Sequence, residues 1–498
     1  MANGLSGAFA MLKSGKDYLE SLDDGRVVYI GRERVEDVAN HPAFRNTARA
    51  FADFFDLKRD PAQRDALTYE EDGDRHSIYY MKAKTKEQLA KRSNAHRVLA
   101  EPSFGLLGRS PDYIASFVTG MNLKPELFGQ YADNVRRYYR FMRDNDIFAA
   151  HAIVSPQAAR DPDFFQKKNL PNPACRVIRE EDDGVVISGM KMLATGSALA
   201  DEIWIGNILP LSPEAKAESI TFAMPCNTKG VSLWSRKPFA PAAASEFEAP
   251  LTFRFDEADA MVMFDNVKVP WERVFVHNDP ALSRGLYIET AAHSYGNHHS
   301  NVRLVVKMQF LTGLASRIAQ ANGAAEVPVV RETLGRLAAL EALLEALVAG
   351  QIEACEEWPV KGHVTFNRRM MYAALNWGVE NYSMVIDTLR ELCGGGMLQM
   401  PADGSVLEDP ELAPQFKTYW QTPHMSALER MKLFRLAWDI VGSELGGRHL
   451  QYEKFFPGAS FVVRNHNYRE APWQAWHERI DSIMERMTPP AGLPEAAE

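Results

Sequence analysis

The stretch FGLLGRSPDY, Phe104 to Tyr113, places Arg109 and Tyr113 four residues apart at the start of a helix. Ser110-Pro111-Asp112 reads as a cap with proline in the first turn, so Arg109 lies just before the helix and Tyr113 within its first turns. A permanent cation and a phenol are thereby aimed at one spot, a pairing suited to holding an aromatic alcohol and stabilising its phenolate. Taken alone, the same residues also describe a capped helix with an exposed arginine.

Further chemistry-bearing residues are scattered. His151 opens HAIVSPQAARD, where a helical texture gives way to a strand-rich one, and is a candidate acid, base or hydrogen-bond donor. Thr195 sits in the small polar run Thr-Gly-Ser of KMLATGSALAD, which brings a hydroxyl and backbone N–H groups close to a planar ring, or is simply a turn between strands. LCGGGM, 392–397, permits close backbone approach or stops a helix. Neighbours on a helix point about 100° apart, and no carboxylate follows His298-His299 at a suitable spacing, so no metal site is assigned there. GxxxxGK[ST], GxGxxG after a strand, HExxH and GxSxG are absent, which removes the usual support for phosphate transfer, Rossmann-type nicotinamide binding, zinc proteolysis and serine hydrolysis.

These residues need a large scaffold. The 498-residue chain fits two or three domains. Its net charge of −9 and lack of a long basic run argue against nucleic acid. The four cysteines, Cys175, Cys226, Cys355 and Cys393, form no CxxC pair, so neither a disulfide framework nor zinc is expected and a reducing cytoplasm is the default. No apolar run is long enough to cross a membrane, and a soluble protein is expected.

An α+β, mainly α organisation is predicted: a helical domain over 1–148, a compact β domain over 149–276 and a helical bundle with tail over 277–498. Val35 to Leu57 and Lys84 to Leu99 carry helical periodicity. VVISGMKMLA, DEIWIGNIL, SITFAMPC and MVMFDNVKVPW read as strands. Leu304 to Ile318 and Leu334 to Leu347 return to helical spacing and should pack as antiparallel helices. Ser426 and Glu429 form a capping box for a helix expected to end near Gly446-Gly447, and Thr488 to Glu498 reads as a frayed tail. A crevice between a β domain and a helix bundle is a common cofactor site.

Six segments in order resemble the oxygenase component of the 4-hydroxyphenylacetate 3-monooxygenase family: YLESLDDGRVVYIGRERVEDV near the start, LGRSPDY at 107–113, HAIVSPQAARD at 151–161, ISGMKMLATGSAL at 187–199, MVMFDNVKVPWERV at 261–274 and KLFRLAWDIVGSELGGRHLQYEKFF at 432–456. The resemblance implies an acyl-CoA dehydrogenase-like fold, normally a homotetramer. It implies reduced FAD supplied by a separate NAD(P)H:flavin reductase, by flavin diffusion, and its reaction with O2 to a C4a-hydroperoxyflavin that hydroxylates a phenol ortho to its oxygen.

By the same resemblance Arg109, Tyr113 and His151 hold the phenol, with Asn207, His293 and His298 also assigned to substrate. Val154, Gln157, Arg160, Thr195, Ser443, Glu444, Gly446 and Arg448 join His151 in lining the flavin, Arg448 meeting a phosphate or an anionic substrate group. NHHSNVRLVVK, 297–307, is richer in histidine than expected for a 4-hydroxyphenylacetate hydroxylase, so halogenated, nitro-substituted or biosynthetic phenols stay open as substrates, with His293, His298 or His299 as a base. Rival readings are an acyl-CoA dehydrogenase-like flavoenzyme, a 4-hydroxybutyryl-CoA dehydratase type, which lacks its early cysteine pair here, and a non-catalytic scaffold.

Overall fold

The computed structural model describes residues 12–488, so nearly all of the tail from Thr488 to Glu498 lies outside the described residues. Helices Arg45–Leu57, Lys86–Ala100, Pro111–Met121 and Ala132–Asn145 build most of the N-terminal part. The expected helix from Val35 begins only at Arg45, because Pro42 interrupts the segment and Phe44 takes the capping position. Two short strands, Val28–Ile30 and Glu33–Val35, also occur where helix was expected. VVYI is β-branched and aromatic, and Gly31 at φ 59° makes the turn between them.

Those two strands belong to a six-stranded sheet. Val28–Ile30 pairs in parallel with Val231–Ser235, which is followed across the sheet by Asp259–Pro270, Gly184–Thr195 and Arg176–Glu181. A four-stranded sheet runs Val274–Val276, Thr221–Pro225, Glu202–Ile205, Ala149–Ala152. All four segments read as strands from sequence lie in these sheets. Residues of both sheets, the first helices and the C-terminal helices share one apolar core, including Phe51, Phe148, Ile203, Val262 and Val305.

The C-terminal part is helical. Ala292–Ala321 is buried along most of its length and packs beside Pro328–Glu353, Arg368–Cys393 and Ala427–Val441. At Gly296 a Cβ would lie 1.9 Å from the Phe117 ring, so this glycine lets the helix carrying Tyr113 cross closely. Ser426 and Glu429 form the expected capping box. The helix they start, however, stops at Val441, and Gly446-Gly447 lie in the first turns of the next helix, Glu444–Phe455. Ser443 caps that second helix, and a Cβ at Gly446 would meet the Ile440 carbonyl at 2.4 Å. The glycine therefore allows a sharp helix-to-helix corner, where sequence spacing alone suggested a stop.

Candidate active site

Pro111 occupies the first helical turn as expected, but Ser110 makes no capping bond; its hydroxyl donates to Asp112 Oδ1 at 2.6 Å instead. The preceding loop is pinned by the buried Glu257 carboxylate, which accepts from the backbone N–H groups of Gly108 (3.1 Å) and Arg109 (2.6 Å). The Arg109 guanidinium lies 4.0 Å from the centre of the Tyr113 ring and donates to the Tyr452 hydroxyl at 2.8 Å. Stacking, this hydrogen bond and a longer one to the Gly108 carbonyl (3.4 Å) fix its plane and leave other N–H groups for a ligand.

His151 projects from the strand Ala149–Ala152 into the same aromatic enclosure, its ring 6.2 Å from that of Tyr113 and 5.6 Å from Phe117. Its Nε2 meets the Tyr287 hydroxyl at 3.2 Å. Burial, and then the charge of Arg109, hold this imidazole well below its ordinary 6.5, so it is neutral at physiological pH. His293 closes the wall, 6.1 Å from Phe117 and 5.6 Å from Tyr287, with Nδ1 2.8 Å from the Tyr372 hydroxyl; burial pulls it down to about 3. His298 is not part of this wall. Its ring stacks on Phe366 at 3.5 Å and its Nδ1 faces Gln351. His299, one residue on, turns instead toward Tyr113, 5.5 Å between rings.

One helical turn before Tyr287, Ser283 accepts from Asn207 Nδ2 at 3.0 Å. Asn207 Oδ1 in turn accepts from Lys191 Nζ at 2.7 Å, and the other bond of that ammonium goes to Ser155 Oγ at 3.3 Å. Lys191 is 1% exposed, its two hydrogen-bond partners are neutral, and burial lowers it to about 8. Sequence reasoning missed Lys191; the available signal was a lone lysine inside the apolar strand VVISGMKMLAT.

Thr195 ends the strand Gly184–Thr195 and donates to Asp259 Oδ1 at 2.5 Å. Asp259 also accepts from Arg448 Nη2 at 2.9 Å and Arg236 Nε at 2.9 Å; although burial opposes it, Arg448 and Arg236 hold its carboxyl well below the usual range. Arg448 is thus paired with Asp259 and, at 3.4 Å, with Glu257, yet its Nη1 is buried without a partner. Val154 bridges to Met192 on the neighbouring strand and is 37% exposed, while Gln157 and Arg160 stand exposed in the short turn that follows. Ser443 is engaged in capping, Gly446 in packing, and Glu444 binds Lys237 at 2.7 Å. Glu257 and Asp259, which tie Arg109 to Thr195 and Arg448, went unnoticed in FDEADAM because acids at a strand edge ordinarily face solvent.

Family models for the N-terminal and C-terminal parts of 4-hydroxyphenylacetate 3-hydroxylase match residues 14–276 and 283–485. The chain belongs to this family. It is 34% identical to the pyoverdin chromophore biosynthetic protein PvcC of Pseudomonas aeruginosa, over 91% of this chain and 90% of that one. With the 4-hydroxyphenylacetate 3-monooxygenase oxygenase component of Thermus thermophilus it shares 33% identity, over 95% and 98%. A crystal structure of a 4-hydroxyphenylacetate 3-monooxygenase oxygenase component complexed with FAD and 4-hydroxyphenylacetate superposes with a TM-score of 0.90, at 31% identity over 95% of this chain and 98% of that one.

The residues present fit a flavin. Val154 offers an exposed apolar edge beside the strand of Thr195, and the buried Arg448 Nη1 is a donor with no acceptor in the described fold. Gln157 and Arg160 present exposed polar side chains on the turn that follows Val154.

Proposed function

We propose that this protein is the oxygenase component of a two-component, reduced-FAD-dependent aromatic monooxygenase, and that it hydroxylates a phenol with an acidic side chain, such as 4-hydroxyphenylacetate, ortho to its hydroxyl group. The observation that carries the reading is the polarity of the enclosure. A cation stacked on Tyr113 and a neutral His151 mark one end, and Lys191, a buried cation with neutral partners, lies beyond Tyr287 at the other.

Arg109 draws the phenol oxygen toward its guanidinium and favours the phenolate, whose ortho carbon is electron-rich. Neutral His151 has a ring nitrogen lone pair to take the phenol proton or a hydrogen bond from it, and Tyr287 fixes the ring at Nε2. Lys191 receives the carboxylate, which replaces the water the ammonium lost on burial, and Asn207 positions that ammonium. Thr195, Val154 and Arg448 would hold the flavin, with Gln157 and Arg160 at its nucleotide end. Bound reduced FAD supplies, with O2, the electrophilic oxygen atom. Phe117, Tyr287 and His293 keep the enclosure dry.

The flavin arrives by diffusion from a separate NAD(P)H-dependent reductase, and four chains assemble. Support for assembly comes from the helix Trp473–Met484, which buries none of its residues and presents Trp473, Ile480, Ile483 and Met484 to solvent. All four cysteines are unpaired, in keeping with a cytoplasmic location. Among the described residues no helix is long and apolar enough to cross a membrane. The deciding experiment supplies reduced FAD from a flavin reductase, O2 and 4-hydroxyphenylacetate, and analyses the product. The dihydroxylated ring is expected; hydrogen peroxide alone, with that phenol and with a panel of others, would overturn the reading.

A further inference from the structure

Next to Tyr113, whose ring is 5.5 Å from that of His299, three helices bring His96, Asp112 and His299 together. One ligand atom from each lies within 4.8 Å of the others, and all three side chains are buried. We propose that these residues form a site for a divalent transition cation of the zinc class, bound by His96 Nδ1, Asp112 and His299 Nε2 with water or the Ser110 hydroxyl completing the shell.

The distances suit such an ion. Bonds of about 2.0–2.2 Å in a tetrahedral shell put neighbouring ligand atoms about 3.3–3.5 Å apart. His299 Nε2 already lies 3.2 Å from Asp112 Oδ1 and 3.2 Å from Ser110 Oγ. His96 Nδ1 is 2.6 Å from Asp112 Oδ2, so admitting the ion asks that pair to part by less than about 1 Å. The distal nitrogens, His96 Nε2 and His299 Nδ1, have no hydrogen-bond partner in the described fold. Binding the ion moves each ring proton to that distal nitrogen; no second bond breaks, and a water must enter to accept from the new N–H.

Charge points the same way. The Asp112 carboxylate is 1% exposed, and the groups within hydrogen-bonding distance of it are Ser110, His96 and His299. The carboxylate is the one acidic group of the cluster, and a bound cation would share its charge with the buried Arg92 guanidinium, which donates only to backbone carbonyls and Ser116.

There is also room. A cavity of about 30 Å³ is lined by His96, Ser110, Asp112 and His299, with Ser103 and Arg303. One water needs about 10–15 Å³, so a fourth ligand fits. Asp53 and Arg254 line the same cavity and stand 68% and 42% exposed at its rim, which gives the ion a way in. The ion would clamp three helices at the point where the segment bearing Arg109 and Tyr113 begins. This is a positioning role, separate from the proposed hydroxylation and not dependent on it.

The test uses the full chain, stripped with a chelator, equilibrated with zinc chloride, desalted and assayed for metal by mass spectrometry. About one zinc per chain is expected in the wild type and less than about a tenth of that in His96→Gln. A wild type that retains less than about a tenth of an equivalent overturns the proposal and leaves the cavity to water. Equal retention by His96→Gln overturns it too, because the zinc then lies elsewhere. If His96→Gln does not fold, the cobalt-loaded wild type decides. Intense visible bands of a four-coordinate ion without thiolate charge transfer uphold the site, and a pale six-coordinate spectrum or thiolate bands refute it.

Discussion

If Lys191 receives the substrate's carboxylate, preference for acidic phenols must fall as pH rises through about 8, where burial has placed its titration. The magnitude follows from the same burial. Moving the ammonium from its ordinary 10.5 to about 8 corresponds to about 3 kcal/mol of penalty for holding a charge among neutral partners. An arriving carboxylate that restores the lysine to its ordinary 10.5 recovers that amount, which corresponds to a preference of about 300-fold. The assay compares kcat/KM for 4-hydroxyphenylacetate with that for 4-methylphenol, a neutral analogue whose phenol titrates in nearly the same range, so effects at Arg109 and His151 cancel in the ratio. In the wild type the ratio should be highest below pH 8 and decline above it, since the lysine is charged only below its titration point. In Lys191→Met the ratio should be lower by between about 10-fold and about 300-fold, and flat with pH. Folding is not placed at risk, because the substitution removes an unpaired buried charge. A flat ratio in the wild type, or an undiminished one in Lys191→Met, would refute the assignment.

Two other substitutions probe separate parts of the molecule. Arg109→Ala keeps the backbone bond to Glu257 but loses the cation proposed to meet the phenol; a charge-assisted hydrogen bond contributes about 1.5–3 kcal/mol, so product formation should fall about 10- to 150-fold while peroxide release rises. Undiminished coupling, measured as product per NAD(P)H consumed, would remove Arg109 from the site. Glu453 accepts from Arg303 and Lys307 at 2.8 Å in a fully buried cluster, and Glu453→Gln should cost about 3–5 kcal/mol in denaturant unfolding at neutral pH because both cations lose their counter-charge. Against the burial that favours the neutral acid, Arg303 and Lys307 hold Glu453 at about 2, below its ordinary 4.5. The stabilisation is therefore complete above pH 4.5 and is lost as pH falls toward 2, so the gap between wild type and variant must narrow on acidification. A gap that is small at neutral pH, or the same at pH 7 and pH 3, would contradict this account.

The layout of helices, strands and bundle was readable because Val305, Val262 and their neighbours repeat with the period of the element that buries them. Helix-start chemistry and a change of texture mark Arg109, Tyr113 and His151 in the sequence, and the fold brings the three side chains together. The resemblance carried the remaining assignments and did not separate His298, which faces Gln351, from His299, which faces Asp112. A difference of one residue on a helix is a rotation of about 100°, and only the packing of neighbouring helices says which direction is the site. Lys191, Glu257 and Asp259 were illegible for a related reason. Their roles depend on partners far away in sequence, as when Arg448 reaches back 189 residues to Asp259. The helix ending at Val441 eluded spacing rules because Gly446 serves a close helix contact and not a stop.

The bond between Arg109 and Tyr452 spans 343 residues. During synthesis the N-terminal half of the pocket emerges long before the residue that orients its arginine, and contacts of such separation close late in folding. A nascent or prematurely ended chain therefore lacks the contact that orients Arg109 in the proposed site. Arg448, proposed to meet the flavin, lies on the same helix as Tyr452, so the docking of Glu444–Phe455 completes both halves of the proposed site together.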